Sequence, residues 1–234
     1  MAQVDAAPSA SGSPARLLPP SLVVRRWFLI LAPALAGVLA IVGAAADPAV
    51  DQDGRALFEA YASNPDAVQV KSMAYHMAYA LWTVVALLLA GLVRRRGSWL
   101  ANVGATLAFL GITTIPGFLL ADFYDSAIGQ HVGADGALAI EEAMSGMWAL
   151  TVMASTGVVG LILCLPVAAT AAWWAGLVPW WAPVAATAGI IGGFFVIGAN
   201  VPGAAVLTAG FVVVSVALAR IDRGAWAPAP VGLT

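Results

Sequence analysis

The sequence predicts an all-α fold, a polytopic transmembrane helix bundle of six spans with the N-terminus and C-terminus both cytoplasmic. Three observations carry this expectation: an apolar composition, uncharged runs of membrane-crossing length, and a one-sided distribution of basic residues. Hydrophobic residues make up 62% of the 234, charged residues 9%, and mean hydropathy is +0.92. Soluble domains carry about 25% charged residues, so a soluble fold of this size could not solvate itself with so few. The formal net charge is −2 with no basic stripe to suggest nucleic acid, so no nucleic-acid partner is expected. The lipid bilayer is the expected solvent.

The chain is expected to divide into a disordered cytoplasmic tail over 1–22, a transmembrane domain over 23–221 and a short cytoplasmic tail over 222–234. The first segment contains Pro8, Pro14, Pro19 and Pro20 among Ala, Ser and Gly, and cannot bury an apolar face. Arg25 and Arg26 then introduce span one, 27–46, an uncharged run that at 1.5 Å per residue crosses a core of about 30 Å. Arg25-Arg26-Trp27-Phe28-Leu29 also resembles a twin-arginine export signal, with Ala44-Ala45-Ala46 as a cleavage site. The apolar run exceeds the 7–15 residues of a signal core, which favours retention as a span.

A polar loop follows, in which Gly54 to Ala62 reads as a short interfacial helix ended by Asn64-Pro65. Span two runs over 72–93, stopped by Arg94-Arg95-Arg96-Gly97, and span three over 99–121, with Pro116 and Gly117 able to bend it. The stretch Asp122 to Glu142 reads as a second polar loop, with Ala134 to Glu142 helical. No charge occurs between Glu142 and Arg220, which leaves room for three more spans of about 20 residues, at 146–172, 181–199 and 203–219.

Orientation follows from charge. With the N-terminus inside, eight arginines (16, 25, 26, 94, 95, 96, 220 and 223) are cytoplasmic, and only Arg55 and Lys71 lie outside, as the positive-inside rule requires. Trp27, Trp99, Trp173, Trp174, Trp180 and Trp181 fall at the inner interface, where amphipathic rings collect. Nine arginines against one lysine, with abundant alanine, suggest a GC-rich bacterial genome and hence a bacterial plasma membrane. The two halves of the chain show no self-similarity of the kind that marks inverted-repeat transporters.

Chemistry concentrates on the outer side, which holds ten of the twelve acids and both histidines. His76 lies one turn inside span two, with Tyr79 and Thr83 on its face at i+3 and i+7. Asp122 and Asp125 end span three, and Glu141 and Glu142 precede span four. Ionisable groups are costly in lipid, so His76, Tyr79, Asp122, Asp125, Glu141 and Glu142 form the candidate ligand-binding set, converging if spans two, three and four are neighbours. No catalytic residue and no cofactor are expected. A metal, if any, would use His76, Asp122 and His131, although no HExxH or paired-Cys spacing is present. Cys164, the single cysteine, lies in an apolar run and reads as a small buried residue. Gly189 and Gly193 form a GxxxG on span five that permits close helix approach.

The outer histidine of span two, the arginine run with Gly97 before span three and the acid at the end of span three resemble uncharacterised six-span bacterial membrane proteins. That resemblance implies a fold class and no activity. Three functions fit the sequence. The first is a non-enzymatic protein whose outward-facing pocket binds a lipid or small solute, or which serves as an accessory subunit to a partner membrane protein. The second is a proton- or solute-coupled transporter, for which spans five and six offer few polar groups. The third is a metal-dependent membrane-embedded enzyme.

Overall fold

The structure, a computed structural model, describes residues 18–226. Seven α-helices follow one another: α1 (Pro20–Ala46), α2 (Gly54–Ser63), α3 (Pro65–Ala90), α4 (Ser98–Ser145), α5 (Trp148–Trp174), α6 (Trp181–Ile191) and α7 (Val201–Ala219). Helix α6 runs on into π-helical turns over Gly192–Ile197, and a 3-10 turn over Arg223–Trp226 follows α7. No strand occurs among the described residues. Five helices (α1, α3, α4, α5 and α7) are long and apolar enough to cross a membrane, and Trp181–Ile197 is a shorter apolar helix. A helix satisfies every backbone N–H and C=O within its own segment, which is why long apolar sequence resolves into helices and little else.

The helices close a ring in the order α1, α3, α4, α5, α6, α7, with α7 returning to α1 and α3 also touching α5. Trp82 of α3 plugs the middle with no exposed surface. Its ring meets Phe211 of α7 edge-on at 5.2 Å and Phe194 of the π-helical turns at 6.2 Å. Its indole N–H donates to the Leu161 carbonyl of α5 at 3.2 Å, so the buried polar edge is satisfied. One side chain thus touches three elements besides its own.

Small residues set the spacing elsewhere. A Cβ at Gly160 of α5 would lie 2.6 Å from the Leu107 carbonyl oxygen and 2.7 Å from the Gly111 nitrogen of α4. Backbone therefore packs directly on backbone, the contact that substitutes for a hydrophobic driving force inside lipid. Gly37 of α1 makes the equivalent approach to Thr208 of α7. The Gly189 of the GxxxG faces Gly210 of α7, so this pair serves packing within the chain.

The structure corrects several boundaries. Helix α1 begins at Pro20, so the end of the expected tail is helical; residues 1–17 and 227–234 lie outside the described residues. Helix α3 begins at Pro65, seven residues before expected span two, because Pro at the first helical position needs no N–H partner and the polar turns 65–71 continue the same helix. The expected loop from Asp122 to Glu142 is helical throughout except at Gly133, whose φ of 77° and ψ of 169° break α4 into two pieces. That backbone conformation is open to glycine at little cost. The polarity of the stretch was misleading, since polar residues beyond a membrane continue a helix readily. His131 is accordingly on a helix. Expected span five is α-helical only over Trp181–Ile191, then π-helical to Ile197 and broken at Gly198. The interfacial helix at 54–62 is present as α2.

The packing predicts contrasting effects of two glycine substitutions. Gly160→Ala, forced against backbone, should lower stability in detergent by about 1–3 kcal/mol. Gly117→Ala, with nothing within 4 Å of its added methyl, should leave thermal unfolding unchanged or slightly raised. Equal unfolding temperatures for the two variants would count against the backbone contact.

Candidate functional site

The polar chemistry at the end of the bundle where α1 finishes and α3 begins is organised around Lys71, which lies in the second turn of α3 with its side chain 11% exposed. Its ammonium faces Asp47, at the end of α1, at 3.5 Å and Asp122 of α4 at 3.4 Å, with those side chains 15% and 19% exposed. It also donates to the Tyr61 hydroxyl of α2 and sits 4.5 Å from the centre of that ring. Asp122 accepts a second bond from Ser72 at 2.7 Å, and the free oxygen of Asp47 accepts from the Ala49 N–H at 3.0 Å. Ser126 of α4 closes the group by donating to the Tyr61 carbonyl at 2.9 Å. Four elements meet on one charge. Partly desolvated ions of this kind gain little net stability as a set, whereas removing one partner strands the others.

Helix α2 is held as a cap by the same logic. It packs on the outward continuation of α4, where Gly129 leaves room for Ala62, and Arg55 bridges Glu59 at 2.7 Å and Asp135 at 2.8 Å. Both of those pairs are exposed and contribute little. Burial pushes the Tyr61 phenol above its ordinary value of 10.0, opposed by the Lys71 hydrogen bond and assisted by the Asp122 charge.

Below this cluster, between α3, α4 and α5, lies a cavity of about 240 Å³ lined by His76, Tyr79, Ala80 and Thr83 on one side and Ile112, Ile115 and Pro116 on another. The i, i+3, i+7 spacing places the three polar residues of α3 along one wall. The Thr83 hydroxyl is engaged, donating to the carbonyls of Tyr79 at 2.8 Å and Ala80 at 3.0 Å. Tyr79 is stacked on Tyr75 at 5.6 Å and meets Trp82 at 5.1 Å, which fixes its ring. His76 is half-buried, and its imidazole makes no hydrogen bond or ion pair among the described residues. Opposite it, Pro116 has no N–H to give the Ile112 carbonyl, leaving an acceptor without its usual helical donor.

The structure distributes the expected site residues over three places. His76 and Tyr79 line the cavity, while Asp122 belongs to the Lys71 cluster and forms no hydrogen bond with His76. Asp125 is half-buried one turn further out on α4. Glu141 and Glu142 are exposed on the helical piece beyond Gly133, where the Glu141 charge acts on Asp125. His131 is exposed and bonds the Ala127 carbonyl of its own helix at 2.8 Å. His76, Asp122 and His131 therefore do not form a ligand set, and no group of three His, Cys, Asp or Glu suited to a metal occurs among the described residues. Cys164 is buried. Sequence reasoning missed Lys71, Tyr61 and Asp47. The available signal was the single lysine of the chain, placed just before a span, where a cation requires a partner.

No family model, no curated protein and no solved structure matches this chain.

Two predictions follow from the cluster. Lys71→Met should destabilise the protein by about 1–3 kcal/mol, less than a fully buried pair would because water reaches its edge. Adding Asp47→Asn and Asp122→Asn should recover much of that loss, and a triple variant no better than the single would refute the charge argument. For Tyr61 the folded phenol resists ionisation more than the unfolded one does. Its contribution is full below pH 10.0 and is lost as pH rises through the higher folded value. Tyr61→Phe should therefore flatten part of the alkaline fall in unfolding temperature.

Proposed function

We propose that this is a six-span protein of the bacterial plasma membrane, with both termini cytoplasmic, whose cavity between α3, α4 and α5 binds a lipid or small solute without transforming it. The protein acts alone or as an accessory subunit of a partner membrane protein. One observation carries the binding reading: a cavity of about 240 Å³, apolar on most sides, presents an imidazole with no partner among the described residues. Ligand pockets commonly combine apolar walls with a few polar groups that orient the occupant. The polar neighbours that would make His76 a base or nucleophile partner are engaged elsewhere, Asp122 with Lys71 and Ser72. Binding is what remains for it to do.

Two features support the topology. Trp181–Ile197 is about 25 Å long at helical rise, enough to cross most of a hydrocarbon core. The start of α1 and the end of α7 lie side by side, because Arg26 donates to the Ala219 carbonyl at 3.3 Å. These two helix ends on one side fit an even number of crossings, which supports counting the shorter helix as the sixth.

Mass spectrometry of gently purified protein should find a co-purifying small molecule or lipid beyond the bulk annulus. His76→Leu, which removes the polar group, and Ala80→Leu, which fills the cavity, should each reduce its occupancy about tenfold, the worth of one good buried hydrogen bond. The exposed His131→Leu should retain it. Unchanged occupancy in both cavity variants would refute the binding site. For topology, Gln130→Cys should react with an impermeant thiol reagent from outside, and Arg95→Cys only after the membrane is opened. The reverse pattern would invert the orientation.

A further inference from the structure

We propose that Arg25 and Arg26 hold the phosphate of an anionic phospholipid at the end of the bundle where α1 begins. Three side-chain nitrogens among the described residues are buried without a hydrogen-bond partner: Arg25 Nε, Arg26 Nε and the indole nitrogen of Trp226. All three are donors, and all lie at this one end of the molecule. Shielded N–H groups left without an acceptor are costly, and the cost is larger for a charged group. The missing component is an acceptor, and an anionic one.

Geometry narrows the choice. Arg25 reaches toward the end of α3, where its Nη2 lies 3.4 Å from the position a Cβ at Gly91 would take. Arg26 reaches the other way, to the end of α7, donating Nη2 to Ala219. The two guanidiniums flank the foot of α1; their Nε edges are shielded as the side chains stand, and both residues are partly exposed, so a turn of each guanidinium brings its Nε–Nη edge to the surface. An Nε–Nη edge is a planar two-donor fork that matches two oxygens of one phosphate. The surroundings are cationic as well: Arg94, Arg95, Arg96, Arg220 and Arg223 belong to the same end. The single described acid there, Asp222, already accepts from the Gly224 N–H at 2.7 Å.

Inorganic phosphate carries the same chemistry as a lipid headgroup, but α1 favours the lipid. Directly along from the arginines, Phe28, Leu31, Leu35 and Val38 form a stripe at helical spacing, with exposures of 39%, 58%, 50% and 51%. A headgroup fixed at Arg25 and Arg26 places its acyl chains along that stripe. Trp27, 52% exposed with the Arg26 guanidinium 5.9 Å from its ring, sits at the level where such rings meet headgroups.

The full-length protein, purified in mild detergent, tests this with phosphatidylglycerol and phosphatidylcholine added separately and retention read by native mass spectrometry. Phosphatidylglycerol should be retained in preference. Arg25→Gln with Arg26→Gln should lower its retention about tenfold or more, while the exposed Arg96→Gln should change it by less than about twofold. If the glutamine pair fails to give a monodisperse protein, Arg25→Lys with Arg26→Lys keeps the charge and removes the fork, and should still lower retention several-fold. Equal retention of the two lipids, an equal loss in Arg96→Gln, or no loss in the lysine pair would overturn the site. Displacement of the lipid by millimolar inorganic phosphate would overturn the lipid assignment in favour of a soluble anion. None of these outcomes depends on His76, so the cavity reading stands or falls separately.

Discussion

Close backbone approach is the constraint on which the rest of this structure depends. In a bilayer, apolar side chains gain little by leaving lipid for protein, so helices adhere through dense van der Waals contact. Here that contact is made by glycines: Gly160 against Leu107 and Gly111, Gly37 against Thr208, Gly189 against Gly210. Bulkier residues at these points would hold the helices apart, and Trp82 could no longer reach Phe211, Phe194 and the Leu161 carbonyl together. The central aromatic fills a space whose width the glycines determine.

The end of the bundle around Lys71 obeys a different rule. Contacts there are ionic, and their geometry rather than their net energy matters. Lys71 pulls the end of α1, the cap helix α2 and the extended α4 toward α3, fixing the height at which the cavity below begins. Asp122 is drawn upward into this cluster, and His76 is left facing an apolar space. The charge cluster takes up its carboxylates, and the cavity keeps an imidazole with no partner among the described residues.

Helical character, the approximate positions of the apolar segments and the small helix α2 were legible in the sequence, because run length and charge-free composition report directly on lipid exposure. The sharing of one wall by His76, Tyr79 and Thr83 was legible too, since helical periodicity fixes it. What could not be read was which carboxylate meets which cation. Asp122 has several plausible partners by depth alone, and only the rotation of α4 against α3 selects Lys71 and Ser72 over His76. The helical state of the stretch after Asp122 was hidden for another reason. Its polarity signals departure from lipid, not departure from helix, and the lone break falls at Gly133.

That continuity has a mechanical consequence. From Ser98 to the break at Gly133, α4 is about 50 Å long, well over the thickness of a hydrocarbon core. Its lower half supplies Ile112, Ile115 and Pro116 to the cavity, and its upper half carries α2 through Ser126, Gly129 and their partners. The helix behaves as a mast stepped between α3 and α5, its backbone ladder missing one hydrogen bond at Pro116. The cap and the cavity wall are therefore carried by the same member, and a change in the tilt of α4 shifts both. Neither can be re-aimed without loading the other.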